Sequence, residues 1–470
     1  MVDAIDLAEG THGQVDTWPR PGRRYLPALA MVAVAATLLA FYAYSQTVDV
    51  PFGIFQHPPI YGIWEPDLRW GAVWVVPAGL ILATIAWLIT SRRTPSWLAL
   101  ILIIACAVGT AAAIAMVRGD WHDLYNGVST AQEDDRYTAD LHFVYEFGVR
   151  GFVERHSELI PHFNTWNSKT HPAGVLGFLY IIFETIGASH PLRITTALAA
   201  LAMSASVAAW LMGRTIGGER AGRIAALLFV AAPGPLLLAY TSLDAIFATV
   251  ISMSIALFMV AIHRASLLFA SAAGAVLAVA TLMTYATSFI LIATTIAVVV
   301  QSSNVRGALK LLGSAAGAGL AVLTTAWLIL SFDLLGSYNA APRSRTPYDP
   351  YWIIAHPAAV LIWAGLPLAT LGVAGLFLRV PHSHRPILPA VLVATMLVWG
   401  MLPAAVTGLR YGEVERTWAF LYPALAAAAG PLIHRWTSGS GRGSGAIVAG
   451  LVLLSVTQAA ILQALWDNLQ

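Results

Sequence analysis

Charge is what this sequence lacks most. Only 11% of its 470 residues are Asp, Glu, Lys or Arg, against about a quarter in soluble domains. Such a chain cannot cover a globular surface with charge, so a soluble protein is excluded. With 58% hydrophobic residues and a mean hydropathy of +0.71, it reads as a polytopic membrane protein. Its 26 basic and 24 acidic residues nearly cancel, and its basic tracts are no more than short Arg-containing linkers. Nucleic acid is therefore not an expected partner. Cysteine is almost absent as well. Cys106 lies alone in an apolar run, which excludes an intrachain disulfide and argues against thiolate metal centres. No internal repeat stands out, which counts against the repeated halves common among transporters.

What remains is apolar helix. In hydrocarbon every backbone polar group must be satisfied within its own segment, and a span needs ~20 apolar residues. Candidate spans run over 25–44, 71–90, 97–116, 194–212, 224–240, 245–262, 266–283, 288–300, 309–330, 352–377, 387–402, 418–433 and 446–465. The expected fold is an all-α polytopic membrane protein of about 13 transmembrane helices. A cytoplasmic tail over 1–24 is followed by three helices over 25–116 and an extracytoplasmic loop with juxtamembrane helices over 117–193. The rest of the bundle, 194–470, carries outer loops at 331–351 and 403–417.

Orientation follows from the short loops that hold Lys and Arg. Arg20, Arg23, Arg24, Arg92 and Arg93 on the cytoplasmic side put the loop after residue 116 outside. The segment 173–186 then sets the parity. At ~14 apolar residues it is short for a span. As a non-crossing juxtamembrane helix it leaves Arg214, Arg220, Arg223, Arg264, Arg306, Lys310, Arg379, Arg385 and Arg435 inside and the C-terminus outside. The location expected is the plasma membrane, multi-pass, with a retained first helix.

The longest polar stretch runs from Ala131 to Leu176 and opens on Glu133, Asp134 and Asp135. Three adjacent carboxylates at an interface repel one another and are partly desolvated, which raises at least one pKa and suits a general base. A solvated acidic turn, or charge at a helix N-terminus, is the plainer account. The run 224–262 would be ~58 Å long as one helix, so it folds back near Asp244, an acid that either caps the next helix or serves a site. Late loops gather Arg343, Arg345, Arg410 and Arg416. Guanidinium groups bind phosphate bidentately, though single arginines also anchor helices at the interface. His122, His142, His156, His162 and His171 show no ligand spacing, so no metal ligand is assigned and a divalent cation stays open. Trp121, Tyr125, Tyr137, Tyr145 and Trp166 could stack on sugar rings or form an interfacial belt.

Three separated pieces carry a resemblance: EDDRYTAD; THPAGVLGFLYIIFETIG with the following stretch that ends in SLDAIFA; and ERTWAFLYPALAAAAG. Together they resemble the integral-membrane C-type glycosyltransferase (GT-C) superfamily, in its polyprenyl-phosphate-sugar-dependent branch of protein mannosyltransferases and aminoarabinose transferases. The resemblance implies an inverting transfer of a sugar, of arabinose or mannose type, from a polyprenyl-phosphate donor to an extracytoplasmic glycan or glycolipid acceptor. It implies Asp134, with Asp135 or Glu133, as the base, and Tyr137 as the end of the acidic signature. Asp244 would position the acceptor or a metal. Arg416, Arg410 and Arg343 or Arg345 would hold phosphate, and Lys169 and His171 would line the site. The sequence departs from the family pattern at Ala173, where a second proline is usual, and in having two spans ahead of the loop's own leading helix. The alternatives are a transporter or flippase of a lipid-linked sugar, and a membrane scaffold in which the outer acids are replaceable.

Overall fold

The computed structural model describes residues 26–47, 63–91, 94–125, 137–302, 304–342, 351–377, 386–400, 414–437 and 443–467. Every candidate apolar segment lies on helix, because Ala, Leu, Ile and Val runs without internal charge satisfy their backbone only by coiling. Among the described residues the fold is all-α apart from one pair of two-residue strands, Ile63–Trp64 and Trp466–Asp467. Among the described residues, 7 helices are long and apolar enough to cross a membrane, fewer than the thirteen segments expected to span. Leu267–Thr281, Thr287–Gln301 and Ile387–Gly400 are helical but shorter.

The segments 194–212 and 224–240 take a different form from two simple spans. Helix continues from Pro191–Met203 into Ala205–Ala231, broken at Gly218, whose φ of +83 is open to glycine but costly for other residues. The chain reverses there: a Cβ on Gly213 would meet that of Ala225 at 2.8 Å, and one on Gly222 would meet the Trp210 carbonyl oxygen at 2.6 Å. Ala232 is extended ahead of Pro233, as the residue before proline must often be, so the second arm ends at Ala231 and restarts as Pro233–Leu238.

Small residues let the inner helices approach closely, which is how helices associate where lipid removes the hydrophobic drive. Leu421–Thr437 buries Ala424 and Ala426 to Ala429, and a Cβ on Gly430 would strike the Ala221 carbonyl oxygen at 2.3 Å.

Contacts sort the loops into two ends of the bundle. At one end the Gly218 hairpin binds the facing ends of the helices Val75–Ser91 and Ser96–Ala115: Ser96 Oγ donates to Glu219 at 2.7 Å, and Arg223 donates to the carbonyls of Ile89 and Thr94. At the other end the two strands pair antiparallel, Arg69 N–H donates to Val117 O, and Gly174 N–H donates to Leu282 O. A second apolar cluster forms there from Leu141, Phe152, Ile160, Phe163, Val175, Phe247, Met283 and Phe332. The helix Gly174–Ile186 packs in this cluster through Val175, Leu176 and Leu179.

Candidate active site

The site is assembled from loops at this second end. Tyr137 opens the turn Tyr137–Asp140, which feeds the helix Leu141–Glu154. Asp140 is fully buried. Its carboxylate accepts from Asn164 N–H at 2.7 Å, Thr165 N–H at 3.1 Å and Thr165 Oγ at 2.8 Å, which folds the 163–165 backbone onto the turn. Thr165 then caps Trp166–Thr170 by accepting from Ser168 N–H at 3.1 Å. The next residue, His171, is extended ahead of Pro172 and ends the short helix.

His171 therefore stands at a determined place. Its Nδ1 lies 2.9 Å from the Asn167 carbonyl oxygen, which can only accept, so Nδ1 carries a proton. The Tyr137 hydroxyl shares that nitrogen at 3.1 Å. Both rings rest on buried Phe247, with centroids 6.5 Å away for Tyr137 and 5.4 Å for His171. Phe247 is three residues beyond Asp244 in the helix Asp244–Arg264, so the two share a face.

Asp244 meets a cation from the far end of the sequence. Arg416 Nε lies 2.8 Å from Asp244 Oδ2, with the side chains 13% and 12% exposed. The approach is a charge contact, not an aligned N–H bond. Ser242 Oγ donates to the same carboxylate oxygen at 3.1 Å and accepts the Asp244 N–H at 3.2 Å. Arg416 sits on the short helix Val414–Thr417, followed by buried Trp418, whose N–H donates to Val414 O and whose ring centroid lies 5.5 Å from that of His356, itself 5.2 Å from Trp352.

Of the residues singled out in the sequence, Tyr137, His171, Asp244 and Arg416 thus come together around Phe247 and the turn before it. Lys169 lies on the turn before His171, half-buried, and makes no ion pair among the described residues. Glu133, Asp134, Asp135, Arg343, Arg345 and Arg410 lie outside the described residues. Among the described residues no group of three or more His, Cys, Asp or Glu could hold a metal ion. Asp140, Ser242 and Phe247 are the supporting residues that sequence reasoning passes over. Asp140 closes the EDDRYTAD piece ahead of a helical pattern, and that position is its only signal.

His156 ties a further loop to this end. It is buried, with Nδ1 3.1 Å from Ser337 Oγ, and its ring contacts Phe152, Phe163 and Phe332. Burial among these rings holds its pKa down to about 4.

No family model matches this chain, and no curated protein matches it. Solved structures are similar to it in part, among them these three. ArnT from Cupriavidus metallidurans in the apo state is 14% identical, with a TM-score of 0.48 over 67% of this chain and 72% of that one. The same protein bound to undecaprenyl phosphate is 14% identical, with a TM-score of 0.47 over 79% and 77%. The Archaeoglobus fulgidus oligosaccharyltransferase, in complex with Zn and sulfate, is 14% identical, with a TM-score of 0.36 over 76% of this chain and 52% of that one.

Proposed function

We propose that this chain is a membrane glycosyltransferase of the GT-C type that moves a sugar from a polyprenyl-phosphate donor to an extracytoplasmic glycan or glycolipid. The observation that carries the reading is the Asp244–Arg416 contact, on the same helix face as Phe247, against which the rings of Tyr137 and His171 rest. The sequence resemblance sets Asp244 aside for the acceptor or a metal and Arg416 for the lipid phosphate, and it has His171 line the site and Tyr137 end the acidic signature.

In this reading Asp134, three residues before Tyr137 in the chain, is the base, with Asp135 or Glu133 beside it. It takes the proton of an acceptor hydroxyl as that oxygen bonds to the anomeric carbon. The bond from that carbon to the donor phosphate breaks, and the lipid phosphate leaves with the negative charge. Arg416 meets that charge, joined by Arg410 and Arg343 or Arg345. Asp244 orients Arg416 or the acceptor, and Lys169 and His171 line the pocket. The prenyl tail stays in the bilayer, which gives a multi-span enzyme its purpose.

The domain plan follows: 117–193 is the catalytic loop, and 331–351 and 403–417 complete it from the later bundle. Charge supports this end as the outer one. At the opposite end stand Arg214, Arg220, Arg223, Arg264, Arg306, Lys310 and Arg435, with Glu219 as the one acid among the described residues. Positive ends face the cytoplasm. A flippase of a lipid-linked sugar would call for charges within the spans, and the acids of the described residues gather at the bundle ends instead.

The test is sugar transfer by purified protein in nanodiscs, with a panel of polyprenyl-phosphate sugars and crude envelope acceptor, wild type beside Asp134→Ala. Transfer that disappears in a folded Asp134→Ala protein supports the reading. Donors that bind but are never consumed, with the substitution changing nothing, overturn it.

A further inference from the structure

A second polar surface lies at the same end, apart from the Asp244–Arg416 region. It is built on the turn Trp121–Leu124, which is held by a capping box: Asp120 accepts from His122 N–H at 2.8 Å, while Asp120 N–H donates to Asp123 at 2.9 Å. That rigid turn presents Trp121, 53% exposed, stacked on the His122 ring at 3.9 Å and 35°, with the Tyr125 ring 5.6 Å away. His122 Nδ1 is in turn 2.7 Å from Asp120 Oδ1. Beside it come Arg69, within electrostatic range of Asp120, and Asp67, whose carboxylate is 2.8 Å from Arg69 Nε. Trp70 is 81% exposed next to Arg69. Its neighbour Gly71 lets the chain press against 116–119, where a Cβ would meet the Met116 carbonyl oxygen at 2.0 Å.

A belt of aromatics at the lipid interface does not account for this arrangement. Trp121 rests on an imidazole bonded to a carboxylate that is itself 65% exposed, and a carboxylate and a guanidinium stand close by, so the surface is wet. Nor does it suit an anion, because Asp67 and Asp120 offset Arg69 and His122. An uncharged polyol fits better. The C–H face of a sugar ring lies on indole, and its hydroxyls find acceptors in the carboxylates and donors in the guanidinium and imidazole.

We infer that Trp121, with Asp120, His122 and Arg69 at its rim, forms a subsite for a neutral oligosaccharide, which holds the acceptor glycan beyond the residue that receives the sugar. The inference rests on the transferase reading, and it deepens that reading by naming the acceptor as a chain of several sugars. The same stretch of chain runs on from Tyr125 to Glu133, Asp134 and Asp135.

Calorimetric titration of the full chain in nanodiscs with linear hexasaccharides of pentofuranose or hexopyranose units separates the two claims, since binding needs no turnover. Trp121→Ala should weaken binding about tenfold or more, Trp121→Phe should keep most of it, and Asp120→Asn, which retains the helix cap, should weaken it less. In transfer assays Trp121→Ala should raise KM about tenfold for a hexasaccharide acceptor and leave that for a monosaccharide acceptor unchanged. Equal affinity of Trp121→Ala and wild type overturns the subsite, as does the failure of every glycan in the panel to bind wild type. If hexasaccharide binds through Trp121 while no donor is ever consumed, the subsite stands and the transferase reading falls.

Discussion

Arg416 Nε and Asp244 Oδ2 stand 2.8 Å apart with both side chains nearly buried, one from a late loop and the other from the first turn of a central helix. A pair so sheltered is costly to break on one side only, because the remaining charge loses its partner without regaining water. If the two act as one phosphate-holding unit, their effects on transfer are not additive. Arg416→Ala should lower kcat/KM about a hundredfold, Asp244→Asn by a similar order, and the double variant little further. Arg416→Lys should not restore activity, since a point charge cannot replace the planar fork. A four-way kinetic cycle decides, and effects that simply multiply would show the pair to be independent.

The pH dependence of stability should carry the mark of His156. Its ring is neutral in the fold, with a pKa lowered from 6.5 to about 4 by burial. The unfolded chain binds the proton more readily, so stability is present above about pH 6.5 and is lost as the pH falls toward about 4. The loss is about 3 kcal/mol in full. Ser337, on the helix Leu334–Ala340, should feel it first. Amide protection across residues 331–342, taken relative to the intrinsic exchange rate at each pH, should fall between pH 7 and pH 5 in wild type, and His156→Gln should flatten that dependence.

Much of this fold was legible because hydrocarbon allows so few backbone solutions. Among the described residues each apolar run in the sequence lies on helix, and the short run after Pro172 is helical and packs in the second apolar cluster. The breaks were harder to read. Gly218 reverses the chain within what hydropathy treats as a polar linker, and Ala232 to Pro233 interrupts a run that composition alone would continue. At the site, charged and aromatic residues advertised themselves, which is why Tyr137, His171, Asp244 and Arg416 could be named. Asp140 and Phe247 did not. One acts through bonds to backbone N–H groups far along the chain, the other as an apolar floor, and neither role leaves a residue pattern.

Asp140 should prove a positioning residue. Asp140→Ala leaves Asn164 N–H, Thr165 N–H and the Thr165 hydroxyl without their shared acceptor in a buried place, at a cost of about 3 kcal/mol or more. The cap on Trp166–Thr170 would loosen and His171 would lose its register with Tyr137. Thermal unfolding should show the destabilisation, while Asp140→Asn, which keeps one acceptor oxygen, should lose less stability. A variant as stable as wild type would show that the 163–165 backbone has another support.

The break in the helix Tyr351–Leu376 makes the last prediction, because one side chain repairs it. Gly365 has φ +76, and its neighbours lose their regular helical partners there. Gln458, from the helix Gly443–Leu465, supplies both halves of the missing bonds: its Oε1 accepts from Leu366 N–H at 2.8 Å, and its Nε2 donates to Ile362 O at 3.3 Å. Unpaired backbone groups among apolar helices are costly, so Gln458→Leu should destabilise by about 1–2 kcal/mol despite adding apolar surface. Gly365→Ala should cost more, since its Cβ would meet Pro233 Cδ at 2.6 Å on top of the backbone strain. Gly218→Ala separates the two contributions. Its φ is +83 with ψ −179, a region almost reserved for glycine, but no atom lies within 4 Å of the added carbon, so strain alone acts there, at about 1–3 kcal/mol. Unfolding midpoints in one detergent should rank wild type first, Gly218→Ala and Gln458→Leu together below it, and Gly365→Ala last. A Gly365→Ala protein no weaker than Gly218→Ala would mean that Pro233 yields freely, and the kink would then be held by Gln458 alone.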